Sequence, residues 1–199
     1  MSVPEGTPEF AKEVAGCAPQ YVQNIGKILY TRAMIEEKVA ELGATLSHEY
    51  KDKDGIVLVG LLKGVTPFMV DLARTLSVPV QLEFMGVKSY DGTESTGDVR
   101  ILYDVQTDLE GKNVILIDDI CDTGHTLVAV KQRLIEKNPA SLRTCVLFDK
   151  KERRVHDDVQ CDFVGFDCPN EFIVGYGLDF DEEYRTLPFV GVLKPSAYR

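Results

Sequence analysis

Apolar residues fall along this chain in two kinds of run. Ile56–Leu62 and Val114–Ile117 are short and nearly unbroken, as strands buried on both faces of a parallel sheet are, and Ser141–Phe148 reads as a further apolar strand. From Thr31, an N-cap residue type, Ile35, Val39, Leu42 and Leu46 recur at spacings of four, three and four with charges between them, which predicts an amphipathic helix to about Glu49. His48 near its end is expected at the surface, complementing the helix dipole. Helices are also predicted over about residues 67–76 and 125–137, the second stopped by Asn138-Pro139. Weaker runs predict strands at 80–87, 98–103, 163–166, 172–176 and 189–193, and an irregular arm with one short helix over residues 1–26.

Three strand–turn–helix units in series imply an α/β fold with a doubly wound, mainly parallel sheet flanked by helices. Ligands in such sheets bind beyond the carboxyl ends of the strands. The residues at those ends are Lys63-Gly64, Asp118 to Thr126, and Lys150. Taken alone, Lys63 suits either a pyrophosphate or an ordinary surface turn, and the charge run from Asp149 to Arg154 suits a solvated loop. Their agreement on one end of the sheet is what carries weight.

The most informative stretch is Val114–Leu127. An apolar strand runs into adjacent carboxylates, Asp118 and Asp119, and then into Asp122-Thr123-Gly124-His125-Thr126 at a helix start. Backbone N–H groups of such a turn, together with threonine hydroxyls, can hold a phosphate. The spacing fits neither a Walker loop nor G-x-G-x-x-G. Carboxylates beside a phosphate make sense if they accept hydrogen bonds from sugar hydroxyls while the turn holds a 5′-phosphate.

At 199 residues, 44% hydrophobic and 27% charged, the chain is long enough for one α/β core without metal or disulfide staples. A net charge of −10 argues against a nucleic-acid partner and requires local cations for any anionic substrate. Cys17, Cys121, Cys145, Cys161 and Cys168 form no CxxC pair, so structural zinc is not expected and free thiols in a reducing cytosol are. No apolar run approaches the ~18 residues of a membrane span, and a cytoplasmic address is expected.

The acid pair and turn resemble the 5-phosphoribosyl 1-pyrophosphate (PRPP) signature of the type I phosphoribosyltransferases. Lys63-Gly64, Lys88-Ser89-Tyr90, Asp149-Lys150, Phe172 to Asp179 and Tyr184-Arg185 narrow the resemblance to the 6-oxopurine, hypoxanthine-guanine branch over roughly residues 28–198. It implies one domain over 1–199, with a core at about 30–165 and a small hood from about 1–29 and 166–199. It implies purine salvage: transfer of phosphoribose from PRPP to N9 of hypoxanthine or guanine, giving IMP or GMP and pyrophosphate. A xanthine-preferring enzyme and a nucleotide-binding regulator of the same fold are the alternatives.

By the same resemblance, Asp118 and Asp119 hold the ribose hydroxyls, directly or through Mg²⁺, and Asp179 shares in a second Mg²⁺ site. Asp122, Thr123, Gly124, His125 and Thr126 cradle the 5′-phosphate. Lys63 and Gly64, after a cis Leu62–Lys63 peptide, and Arg185 meet the pyrophosphate. Lys150 donates to the purine O6, Phe172 stacks on the ring, the Ile173 backbone reads its edge, and Asp179 lies among the purine contacts. Ser89 and Tyr90 form a lid. Asp122 is the catalytic carboxylate, accepting or stabilising the purine's proton. Position 118 is Asp where the family more often has Glu, so its contact can run through water. His125 stands at a variable position, where a backbone role and a phosphate contact are both open. A homodimer or homotetramer is implied.

Overall fold

The computed structural model describes residues 2–89, 99–156 and 159–198. Two compact units are present, one of residues 1–38 with 171–199 and the other of residues 39–170.

The larger unit is built on a six-stranded sheet. Its strands are β3 (Ile56–Leu62), β4 (Val80–Ser89), β5 (Val99–Tyr103), β6 (Asn113–Cys121), β7 (Ser141–Asp149) and β8 (Phe163–Asp167), in the order β5-β4-β3-β6-β7-β8. All neighbours are parallel except the β4–β5 pair. The mainly parallel, doubly wound reading therefore holds. Val57, Val59 and Leu61 of β3 share an apolar cluster with Val114 and Leu116 of β6 and with Leu127, Val130 and Leu134 of α5 (His125–Ile135). Leu58 and Gly60 alternate with them, and a Cβ on Gly60 would strike Met69 of α4 (Thr66–Thr75). Glycine lets this helix lie close to the strand. Before α4 in the chain comes α3 (Arg32–Glu49), whose Ile35, Val39, Leu42 and Leu46 are buried and whose start is capped by Thr31 Oγ1, accepting from Met34 N at 3.3 Å.

Two strands extend past their predicted ends. β6 does not stop at Ile117. Its ladder with β3 ends there, at Gly60, but pairing with β7 continues to Cys121 opposite Asp149. The acid pair therefore lies within the strand, where β6 has outrun one neighbour and kept the other. β4 likewise continues through Lys88 to Ser89, because β5 pairs with it there. Ser89 is thus strand backbone, and Tyr90, expected with it in a lid, lies outside the described residues.

The smaller unit carries a four-stranded antiparallel sheet in the order β1 (Val3–Pro4), β2 (Ile25–Tyr30), β10 (Val190–Leu193), β9 (Ile173–Val174). The arm is more regular than expected. Besides β1 it forms α1 (Pro8–Glu13), whose Thr7 cap accepts from Phe10 N at 3.2 Å, and α2 (Pro19–Val22). β2 had no clear sequence signal, since Gly26 and Lys27 interrupt its apolar residues. Ile25, Ile28, Phe10, Val174, Leu187 and Phe189 build this unit's core.

Candidate active site

In the larger unit, the carboxyl ends of β3, β6 and β7 carry the polar residues singled out from the sequence. β3 delivers Lys63 through a cis Leu62–Lys63 peptide, and the turn is closed by Thr66, whose N and Oγ1 donate to Lys63 O at 3.2 and 2.7 Å. Gly64 is buried, and a Cβ there would collide with the Asp119 carboxylate. Only glycine admits that approach between the β3 turn and the acid pair. Asp118 is buried (8% exposed), and its Oδ1 accepts from Asp119 N at 3.1 Å. Asp119 Oδ1 accepts from Ile120 N at 2.9 Å. Burial first, and then the neighbouring Asp119 charge, push the Asp118 carboxyl well above the usual carboxylate range.

The turn after β6 closes at Gly124, which caps α5 with φ of +91°, a left-handed conformation that favours glycine. Val128 N donates to Gly124 O at 3.0 Å, so α5 starts directly on the turn, with His125 and Thr126 its first two residues.

At the end of β7, Asp149 and Lys150 are both buried, while Lys151, Glu152 and Arg153 are exposed as a solvated charge run would be. Lys150 N donates to Cys121 O at 2.9 Å, extending the β6–β7 ladder, and Asp149 is ion-paired with Arg154. The segment that follows lies along the turn after β6. Arg153 Nε is 3.0 Å from Asp122 Oδ1, and Arg154 Nε donates to Asp122 O at 3.3 Å. Val155 N donates to Thr123 O at 3.1 Å, and the His156 and His125 ring nitrogens are 2.8 Å apart. His156, expected at the loop surface, is half-buried against that turn. Arg153, Arg154 and His156 drew no functional reading from the sequence. The one available signal was a charge run leaving a strand's carboxyl end.

In the smaller unit, Phe172 is 39% exposed and stacks on Tyr198, with centroids 4.8 Å apart and planes 20° apart. Phe180 meets it edge-on at 5.5 Å. Ile173 is buried in β9, paired with Val192. Asp179 Oδ1 holds Arg185 Nη1 at 2.9 Å, and that same Nη1 donates to Gly177 O at 2.8 Å, while Arg185 Nε is buried without a hydrogen-bond partner. Positive φ recurs from Gly175 to Tyr184, including the non-glycines Tyr176, Asp181, Glu182 and Tyr184. Such backbone outliers cluster at ligand-binding segments.

Comparison with known proteins agrees with this geometry. Residues 8–181 match the phosphoribosyl transferase domain family, and the chain belongs to it. Several of its relatives in that family are hypoxanthine-guanine phosphoribosyltransferases. The hypoxanthine-guanine phosphoribosyltransferase of Mycobacterium tuberculosis is 42% identical over 188 residues, covering 92% of this chain and 93% of that protein. That of Streptococcus mutans is 48% identical over 177 residues, with 88% and 97% covered. A crystal structure of hypoxanthine phosphoribosyltransferase from Staphylococcus aureus superposes with a TM-score of 0.87 at 40% identity, covering 92% of this chain and 99% of that one.

Proposed function

We propose that this chain is the purine-salvage enzyme its relatives are named for, moving the 5-phosphoribosyl group of PRPP to N9 of hypoxanthine or guanine and releasing pyrophosphate. The observation that carries the site assignment is the Asp118–Asp119 pair on a strand that runs straight into the left-handed Gly124 turn and the start of α5. That layout offers acceptors for two sugar hydroxyls beside donors for a 5′-phosphate.

Breaking the bond from C1 of the ribose to pyrophosphate leaves cationic character on the sugar and builds negative charge on the leaving group. Lys63, with the backbone N–H of Gly64, and Arg185 are assigned to that leaving group as donors fixed in advance. Attack by N9 on C1 requires loss of a purine proton, and Asp122 is assigned as the carboxylate that accepts or stabilises it. Lys150 is assigned to the O6 carbonyl, Phe172 to stacking and the Ile173 backbone to the ring edge. A lysine donor at O6 favours oxopurines over adenine, whose amino group would leave it unmatched.

Mg²⁺ fits the chemistry of the acid pair. Among the described residues no three His, Cys, Asp or Glu groups converge on a metal position, so the fit rests on the two adjacent carboxylates, one of them buried and with its charged form disfavoured by its neighbour. Hard oxygen donors of this kind suit Mg²⁺, which also takes ligands from substrate phosphates. Asp118 and Asp119 would hold it, and Asp179 is the candidate ligand of a second ion. Bound there, the ion would neutralise charge on the leaving group. A homo-oligomer of two or four copies and a cytoplasmic location are part of the same proposal. No helix among the described residues is long and apolar enough to cross a membrane.

The test is nucleotide formation from PRPP with hypoxanthine, guanine, xanthine and adenine, with and without Mg²⁺, alongside Asp122→Asn. Turnover of hypoxanthine and guanine but not adenine, falling about 100-fold or more in the variant, is expected. Preference for xanthine would move the chain to the rival specificity. No turnover by folded protein that still binds PRPP would make it a regulator.

A further inference from the structure

The contact between His125 and His156 has no counterpart in the site assignments above, and its chemistry is specific. Nε2 of His156 and Nδ1 of His125 are 2.8 Å apart, with the rings edge-on at a centroid distance of 4.5 Å. Two neutral imidazoles can share only one hydrogen across such a contact, so the bond selects a tautomer. When His156 Nε2 donates, His125 Nδ1 accepts, and the ring hydrogen of His125 must be on its Nε2. His125 then has a donor, not a lone pair, on its remaining nitrogen. It is also the first residue of α5, within the turn assigned to the 5′-phosphate.

We propose that His156 is a positioning residue for PRPP: it fixes the ring and tautomer of His125 so that His125 donates from Nε2 to the 5′-phosphate. This rests on the turn from Asp122 to Thr126 being the phosphate cradle. The segment carrying His156 is held against the turn by other means, through Val155 N to Thr123 O, Arg154 to the Asp122 carbonyl, and the Arg154–Asp149 ion pair. Removing the His156 ring therefore removes one hydrogen bond and leaves the segment in place.

The experiment is steady-state kinetics on the full chain, varying PRPP and hypoxanthine separately, for His156→Met, His156→Gln, His125→Ala and the His125→Ala/His156→Met double variant. Methionine fills the volume without a donor, while the glutamine amide places a donor near the position of Nε2. Support is a KM for PRPP raised about fivefold in His156→Met, with kcat and the KM for hypoxanthine within about twofold. His156→Gln then recovers most of the loss, and the double variant is no worse than His125→Ala alone. The proposal is overturned if His156→Met leaves the KM for PRPP unchanged, weakens both substrates alike, is not rescued by glutamine, or adds its full effect to His125→Ala. Thr126→Ala separates the two levels. If it raises the KM for PRPP while the histidine variants do not, the cradle stands and only the role of His156 falls; if neither moves it, the cradle assignment falls as well.

Discussion

The two ends of the six-stranded sheet contrast sharply, although both carry polar residues. At the amino ends of the strands lies a cavity of about 620 Å³, lined by residues 52–57, 79–81, 111–113 and Ala140. Polar groups there make ordinary exposed or half-buried hydrogen bonds, such as Lys112 Nζ to Gln81 Oε1 at 3.1 Å and Ser141 Oγ to Asn113 Oδ1 at 2.9 Å. The carboxyl ends hold every buried charged side chain among the described residues, namely Asp118, Asp149 and Lys150. Removing a charge from water is costly, so a fold concentrates such groups where chemistry uses them. Here buried charge, not cavity volume, coincides with the end proposed to work.

A pair of glycine substitutions would test that contrast most severely. Gly64→Ala puts a methyl group into the Asp119 carboxylate. Displacing that group by even an ångström is expected to lower turnover about 100-fold. At the opposite end, Gly111 has φ of +68° and open space around its missing Cβ. Gly111→Ala should cost about 1–2 kcal/mol of stability through backbone strain alone, with turnover unchanged. Initial rates and thermal unfolding on both variants check this. Equal loss of turnover in the two would erase the distinction between the ends.

The same contrast explains what was legible in the sequence. Strands β3, β6 and β7 are covered on both faces, so Ile56–Leu62, Val114–Ile117 and Ser141–Phe148 announce themselves as apolar runs. Asp118 and Asp119 break that pattern, so β6 reads short, yet backbone pairing with β7 ignores side-chain polarity and carries on to Cys121. β2 escaped because Gly26 and Lys27 interrupt its apolar positions. At the candidate site, residues contiguous in the chain were readable, since a strand, an acid pair and a glycine turn follow one another. The ties from Arg153, Arg154 and His156 to that turn join positions about 30 residues apart. No local spacing encodes such pairings; they arise only once β7 lies beside β6.

Asp118→Asn sharpens the comparison from the side of stability. Folding raises the Asp118 pKa, chiefly by burial and then by Asp119. A raised carboxyl pKa means that the folded state disfavours the ionised form. Stability is then greatest below the unfolded pKa and declines as pH rises from there through the folded pKa. Asparagine removes that decline, so the ligand-free variant should melt a few degrees higher near neutral pH, with a flatter dependence of Tm on pH. Turnover should fall about 10- to 100-fold, in keeping with a group that holds a substrate or its metal. Thermal melts across pH, paired with rates, decide it. A variant that melts lower at neutral pH would mean that Asp118 is a structural group, like those at the amino ends.

The smallest expected effect comes from charge placed away from the working end. Asp104, after β5, is ion-paired with Arg133 at 2.7 Å and Lys137 at 3.3 Å, at the carboxyl end of α5. Burial alone would raise its pKa, but hydrogen bonds from Arg133, Lys137 and the Val105 N–H together outweigh burial and hold it below the usual value of 3.8. The sign is therefore opposite to that of Asp118. The contribution is fully present above the unfolded pKa and is lost as pH falls through the lower, folded one. Asp104→Asn should reduce stability by up to about 1 kcal/mol at neutral pH, since these groups are partly solvated. That corresponds to a Tm lower by about 2–4 °C, with the gap closing as pH falls through the lowered, folded-state pKa. Turnover and both KM values should stay at the level of the unsubstituted chain. If Asp104→Asn instead changed kcat while leaving Tm alone, charge at the far end of α5 would reach the Gly124 turn through the helix, and the two ends of the sheet would have to be treated as coupled.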